Sequence, residues 1–363
     1  MRLFDFARTF LAATVLMAPS VDAAWRIGLQ ALSSDGGRAI IAYGAEWVEV
    51  DLAEGGTTLL TPPPTCSWTS ASYAPKGEEF VLTAHCSSYT TCDLVRTGLW
   101  RSHPTWGATL IARAAGRRWN GARWSVGPGG RDDVIVTETP VTAPRATGID
   151  DLGRGSGCER GQGRFVSVSL ASGRAAQLDI LPRGWTAIAA LAAAPGQLLA
   201  TLRVRNADRD DSLAETQAAE ICAAAEPEWR SGVCGPEGME LHALWSDGDW
   251  RLFDDPKSGG GRIFATAGLE VIARERCTGE RIGGRLKAAC RATVEGPGVS
   301  RRVDASAGLF GDVALSADGR VFATLAAGRG LRIRRFELID LETGEATDVS
   351  HLLDLEPPWD AAR

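Results

Sequence analysis

The sequence predicts an all-β chain built as a six-bladed β-propeller of four-stranded antiparallel blades, with long loops on one face. Three observations carry this expectation: a turn motif that recurs near both ends, short β-rich runs punctuated by glycine, and few helical stretches. The first copy of the motif is Ser33-Ser34-Asp35-Gly36-Gly37-Arg38, followed by Ala39-Ile40-Ile41-Ala42. The second is Ser316-Ala317-Asp318-Gly319-Arg320, followed by Val321-Phe322-Ala323-Thr324. Each leads to a later strand ending in Asp-Leu-x-x-Gly, at Asp51-Leu52-Ala53-Glu54-Gly55 and Asp340-Leu341-Glu342-Thr343-Gly344. An Asp-Gly turn, a β-rich run and a strand closed by a polar turn make one antiparallel unit.

Marker glycines of successive units fall near 36, 77, 129, 196, 268 and 319. The first strand of a unit tends to open on an aromatic residue, as at Trp25, Trp68, Trp119, Trp185 and Phe310, so packing between blades accounts for these rings. In the fifth unit Arg262–Thr266 reaches Gly268 early, and Leu269–Ala273 follows as its second strand. Second strands read at 79–83, 134–137 and 198–202, third strands at 47–50, 165–168 and 240–244, and a fourth at 250–253. The wide spacing from Gly129 to Gly268 requires insertions in the third and fourth units. A seven-bladed ring with one degenerate blade inside those insertions is the alternative. Closure is expected to involve Thr57–Leu60 or the tail near His351.

Residues 1–23 read as a secretory signal peptide: Arg2 and Arg8, an apolar run from Phe10 to Met17, then Val21-Asp22-Ala23 as a small-x-small cleavage site. A mildly apolar N-terminal strand is the competing reading. Residues 24–363 are expected to form a single propeller domain. The apolar run is shorter than the ~20 residues that cross a bilayer, so the chain is not expected to span a membrane. A formal charge of −6 argues against a nucleic-acid partner.

The eight cysteines are Cys66, Cys86, Cys92, Cys158, Cys222, Cys234, Cys277 and Cys290. An even count behind an export signal favours disulfides in an oxidising compartment, here periplasmic or secreted. No Cys-x-x-Cys pair and only four His make a zinc site a poor fit. In a zigzag blade, the link between second and third strands and the link between blades emerge on the same face, and all eight cysteines fall in such links. Proximity then pairs Cys86 with Cys92, Cys222 with Cys234 and Cys277 with Cys290, leaving Cys66 for Cys158.

The paired Ser-x-Asp-Gly and Asp-Leu-x-x-Gly signatures resemble the repeat of TolB-like, WD-like propellers. That resemblance implies a periplasmic six-bladed fold, and it leaves the activity open because propellers host enzymes, receptors and scaffolds. No catalytic residues, metal ligands or cofactor are assigned. The candidate binding residues on the loop face are His85, Asp208, Asp210, Asp211 and Trp229. Asp208, Asp210 and Asp211 resemble part of a calcium loop but lack its spacing and glycine, so a solvated acidic face is preferred. Ser212 and Glu215 form a capping-box pattern opening a short helix toward Ala225. Glu275, Glu280 and the neighbouring arginines read as surface. The expected role is a non-catalytic scaffold for a protein partner in the cell envelope, or for a glycan. The alternative is a hydrolase or lyase with its site at the mouth of the axial channel.

Overall fold

The structure, a computed structural model, describes residues 27–44, 46–86, 96–103, 107–126, 132–142, 159–160, 162–182, 185–204, 239–253, 262–282, 285–304, 312–327 and 333–353. The first meander is β1 (Ile27–Leu32), β2 (Arg38–Tyr43), β3 (Glu46–Asp51) and β4 (Thr57–Leu59). The second is β5 (Cys66–Tyr73), β6 (Phe80–Cys86), β7 (Arg96–His103) and β8 (Gly107–Ala115). Two further meanders share a nine-stranded sheet. One is β9 (Arg117–Val126), β10 (Asp132–Thr142), β12 (Arg164–Ser169) and β13 (Ala175–Leu178), with the short β11 (Glu159–Arg160) added to β10. The other is β14 (Trp185–Ala194), β15 (Gln197–Val204), β16 (Met239–Ser246) and β17 (Asp249–Leu252). They touch through a single parallel pair, Ser125 of β9 beside Ala193 of β14. The chain continues as β18 (Ile263–Ala265), β19 (Ile272–Ile282), β20 (Arg285–Gly296) and β21 (Val299–Asp304). It ends as β22 (Asp312–Leu315), β23 (Val321–Ala327), β24 (Ile333–Asp340), β25 (Ala346–Asp348) and a 3-10 turn, Ser350–Leu353.

The first strands of the meanders contact one another in a closed circuit: β1 with β5, β5 with β9, β9 with β14, β14 with β18, β18 with β22, and β22 with β1. Sheets arrayed radially about their first strands make a β-propeller, an arrangement that leaves only short, protected edges. Each meander uses consecutive strands, so among the described residues no strand is exchanged where the ends of the ring meet. Thr57–Leu59 is the outer strand of its own sheet, and the tail closes the ring by packing. Leu353 and Val349 join Leu29, Ile41, Leu325 and Phe336 in one buried cluster across the first and last sheets.

Similar apolar seams lie between the first and second sheets, around Ile40, Trp68 and Phe80, and between the second sheet and the β9–β13 meander, around Leu99, Trp119 and Val136. Two more join the two halves of the nine-stranded sheet, around Phe165 and Leu202, and the last two meanders, around Val294 and Phe322. A further seam lies between β14–β17 and β18–β21. Its described contacts include Gly268 N–H donating to Ala193 C=O at 3.0 Å and the Arg274 guanidinium 4.8 Å from the Phe253 ring.

The recurring motif folds the same way twice. Ser33 Oγ donates to Asp35 Oδ1 at 2.7 Å, which also accepts Gly37 N–H at 2.9 Å. Ser316 Oγ donates to Asp318 Oδ1 at 2.7 Å, which also accepts Arg320 N–H at 3.0 Å. Asp51 Oδ1 accepts the N–H groups of Ala53 and Glu54, and Asp340 Oδ1 accepts that of Thr343. These amide donors hold the carboxyls of Asp35, Asp51 and Asp340 below the free-aspartate range. The structure adds a third copy of the closing turn: Ser169-Leu170-Ala171-Ser172-Gly173 repeats the Gly N–H to first-residue C=O bond at 2.8 Å. A serine in the aspartate's place hides it from a search for Asp-Leu-x-x-Gly.

Two expectations change. The fifth unit's second strand starts at Ile272, because Gly268 and Leu269 both take positive φ (93° and 60°) inside a turn stapled by Thr266 and Val271. Glu275 is not a surface residue; it is 2% exposed. Trp25, Gly129, Phe310, the signal segment 1–23 and the helix expected near 212–225 lie outside the described residues.

The two motif glycines combine positive φ with a close neighbour. A Cβ on Gly36 would lie 2.8 Å from Val321 Cγ2, and one on Gly319 would lie 2.5 Å from Val271 Cγ2, each on the adjacent sheet. Gly298 has nearly the same φ, 74° against 76°, with no atom within 4 Å. Gly298→Ala should therefore cost only the backbone penalty, about 1 kcal/mol. Gly319→Ala should cost a further ~1–3 kcal/mol from the seam clash, read as the difference in urea midpoints. Equal losses would show that the turn does not bear on its neighbour.

Candidate functional site

The direction of the strands divides the ring into two rims. First strands start, and second strands end, on one rim; the opposite rim carries the tight Asp-Gly and Leu-x-x-Gly turns. Cys66 opens β5 and Cys86 closes β6, directly opposite in the ladder with Cα atoms 3.9 Å apart, and they form a disulfide. This replaces the expected Cys86–Cys92 and Cys66–Cys158 pairs, because ladder register brings Cys66 to Cys86 and sequence proximity does not decide it. Cys290 is also disulfide-bonded, and Cys277 stands directly opposite it in the β19–β20 ladder. All four of these positions are on the same rim. Cys92, Cys158, Cys222 and Cys234 lie outside the described residues, as do Asp208, Asp210, Asp211 and Trp229. They fall in the connections that leave β6, β10 and β15 at this rim.

His85 ends β6 beside Cys86, so it belongs to the same rim. Its Nδ1 lies 3.5 Å from Arg118 Nη2 at the start of β9. Near it, Glu138 is 1% exposed and accepts Trp119 Nε1–H at 2.8 Å and Arg164 Nε–H at 2.6 Å, which compensates the cost of burying its charge.

The axis is a cavity of about 250 Å³ to which every first strand contributes, through Gln30, Ser72, Arg123, Leu191, Phe264 and Asp312 among others. At its cysteine-rim end, Arg262 bridges two carboxylates: its Nη1 donates to Asp312 at 2.5 Å, and its Nε and Nη2 donate to Glu275 at 2.5 and 3.1 Å. Burial pushes the Asp312 carboxyl above the ordinary aspartate value of 3.8, with Arg262 opposing the shift. Farther along, in the last third of β9, stands Arg123, whose Nη1 donates to Ala122 C=O at 2.9 Å and Ala71 C=O at 3.5 Å. Burial lowers its affinity for a proton. Among the described residues, no group of three His, Cys, Asp or Glu is placed to hold a metal ion, and no helix is long and apolar enough to cross a membrane.

The sequence reading missed Arg123, Asp312 and Arg262. A first strand shows which residues alternate but not which face meets the axis. That is fixed by ladder irregularities such as those between Leu29 and Ala31 and between Trp68 and Ser70.

No family model matches the chain, and no curated protein matches it. Several solved structures are similar. TolB from Acinetobacter baumannii is 10% identical with a TM-score of 0.43, covering 90% of this chain and 64% of that one. An oligogalacturonate lyase in complex with manganese is 10% identical with a TM-score of 0.42, covering 90% and 78%. The tricorn protease is 15% identical with a TM-score of 0.48, covering 92% of this chain and 27% of that one. The chain thus spans just under two thirds of the TolB chain, and the propeller assignment stands on the circuit of first strands.

The Cys66–Cys86 bridge closes a loop of 20 residues, for which chain entropy gives about 3 kcal/mol. The Cys66→Ser/Cys86→Ser double variant should lose about that much in urea denaturation, and a non-reducing peptide map of the wild type should join these two peptides. A Cys86–Cys92 peptide would contradict the register. As for Asp312, a carboxyl with a raised folded pKa holds its proton more tightly folded than unfolded, so its contribution is lost as pH climbs above 3.8. The stability deficit of Asp312→Asn relative to wild type should therefore shrink between about pH 4 and pH 7. A deficit that grows with pH would mean that Arg262 outweighs burial.

Proposed function

We propose that these meanders are the blades of a six-bladed propeller, that residues 24–363 form its single domain, and that loss of residues 1–23 accompanies export to the periplasm or beyond. In this reading the protein is a non-catalytic scaffold. It holds a protein partner of the cell envelope, or a glycan, on the rim where the cysteines gather. His85 belongs to that surface, together with Asp208, Asp210, Asp211 and Trp229 from the connection between β15 and β16.

The observation that carries the reading is the asymmetry of the rims. One rim consists of short turns fixed by their own side chains, while the other holds the Cys66–Cys86 bridge and Cys290. At that second rim the chain also leaves β15 at Val204 and begins β16 only at Met239. Long segments on a rigid scaffold are where recognition is usually found. We assign Cys277 as the partner of Cys290 on the strength of their register. The TolB-type resemblance of the repeat agrees with an envelope role.

The alternative, a hydrolase or lyase acting at the channel mouth, draws its support from Asp312. A buried carboxyl with a raised proton affinity has the property of a general acid. Against it stands Arg262, which occupies both Asp312 and Glu275.

Site-specific photo-cross-linking in the native envelope separates the two. A photoreactive residue at exposed Thr65, on the cysteine rim, should give a discrete adduct that is lost on reduction of the disulfides. One at exposed Lys76, on the turn rim, should give none. Adducts from Lys76 alone, or no adduct together with a hydrolytic or eliminative activity abolished by Asp312→Asn, would reverse the assignment. A carbohydrate-array signal that requires the cysteine rim would identify the glycan as the ligand.

A further inference from the structure

We infer that the axial cavity holds a small carboxylate anion on Arg123. This goes beyond the rim-binding role, since it concerns the axis and not the loops. Four observations converge on it.

First, Arg123 lines the cavity and carries a full charge, yet its described partners are two neutral carbonyls, Ala122 C=O and Ala71 C=O, both reached by the same Nη1. Its Nε and Nη2 make no bond to any described residue. Second, this is unlike its neighbours. Arg262 is met by Asp312 and Glu275, Arg164 by Glu138, Arg38 by Asp51 and Arg101 by Glu79. A guanidinium held in a narrow cavity without an anion lacks a compensating charge, and its fork of N–H groups is shaped to donate to two carboxylate oxygens.

Third, the charge inside the cavity is segregated. The acidic residue on its wall, Asp312, begins β22 at the cysteine rim, and Arg262 is already bonded to it. Arg123 lies toward the turn rim, on β9, half the circuit of first strands away. An anion reaching Arg123 from the turn rim therefore does not pass Asp312.

Fourth, the surroundings suit a small organic acid. Two polar groups nearby are engaged: Trp124 Nε1–H donates to Ser72 C=O at 2.8 Å, and Tyr73 Oη–H to Glu49 at 2.8 Å. Leu29, Ala31, Leu191 and Ile263 add aliphatic stretches to a wall that is on balance polar. A volume of about 250 Å³ is below the ~300–1,000 Å³ of pockets for drug-sized ligands, so the occupant is a short acid or the last residues of a peptide. Either source offers the same group to Arg123.

The full oxidised chain is titrated by calorimetry with sodium acetate, tri-alanine and tri-alanine amide, at constant ionic strength set with sodium chloride. Saturable binding near one equivalent is expected for at least one of the two free acids, and none for the amide. Tri-alanine binding much more tightly than acetate identifies a peptide terminus; equal binding identifies a free small acid. Arg123→Gln should weaken that binding about tenfold or more, the loss expected for a charge-assisted pair. Arg123→Lys retains the charge without the fork, and should bind more weakly than wild type but more tightly than the glutamine variant. It also serves as the comparison if Arg123→Gln does not fold. No saturable heat with wild type, binding of the amide equal to that of the acid, or an unchanged affinity in the folded Arg123 variants would overturn the inference.

Discussion

The closed circuit of first strands is the constraint from which the rest follows. A four-stranded sheet of this composition has two apolar faces, and neither is covered by its own meander. Ile40 of β2 faces Trp68 and Phe80 of the next sheet, while its neighbour Ile41 faces Phe336 and Leu325 of the last. One strand thus feeds two seams through alternate side chains, as the period of a β-strand requires. Only a ring provides each sheet with a neighbour on both sides, so cohesion is shared among the sheets and does not reside in a single central core.

Much of this was legible in the sequence, and the parts that were not have physical reasons. The Ser-x-Asp-Gly turns could be read because their side chains satisfy their own backbone, so local residues are sufficient to specify them. The strand runs could be read from their β-branched and small residues, whereas Cys277 and Cys290, expected in a link, lie within the ladder of β19 and β20. The pairing of Cys66 with Cys86 could not, because it depends on how the β5–β6 ladder is aligned, with an irregularity between Trp68 and Ser70. Glu275 was misread as surface since its charge is compensated by Arg262, thirteen residues earlier in the chain. The inward course of Arg123 is equally a matter of register and twist, which alternation alone does not reveal.

The indole N–H groups show how the ring joins apolar burial to polar satisfaction. Trp68 donates to Leu60 C=O at 2.7 Å, Trp124 to Ser72 C=O at 2.8 Å, and Trp250 to Ile180 C=O at 2.7 Å. Each ring fills a seam while its one polar atom meets a carbonyl on another strand or link, so none of these three indole donors is left without an acceptor. The recurrence of tryptophan along the chain is then a packing device with a directional lock, and it accounts for these residues without a binding role.

The seam between β14–β17 and β18–β21 has, among its described contacts, an amide-to-carbonyl bond at the turn rim and a guanidinium over a phenyl ring. Its neighbours on either side are held by buried aliphatic and aromatic groups. Water competes for polar contacts far more effectively than for apolar ones, so those two contacts are the part of this seam that solvent can replace most readily.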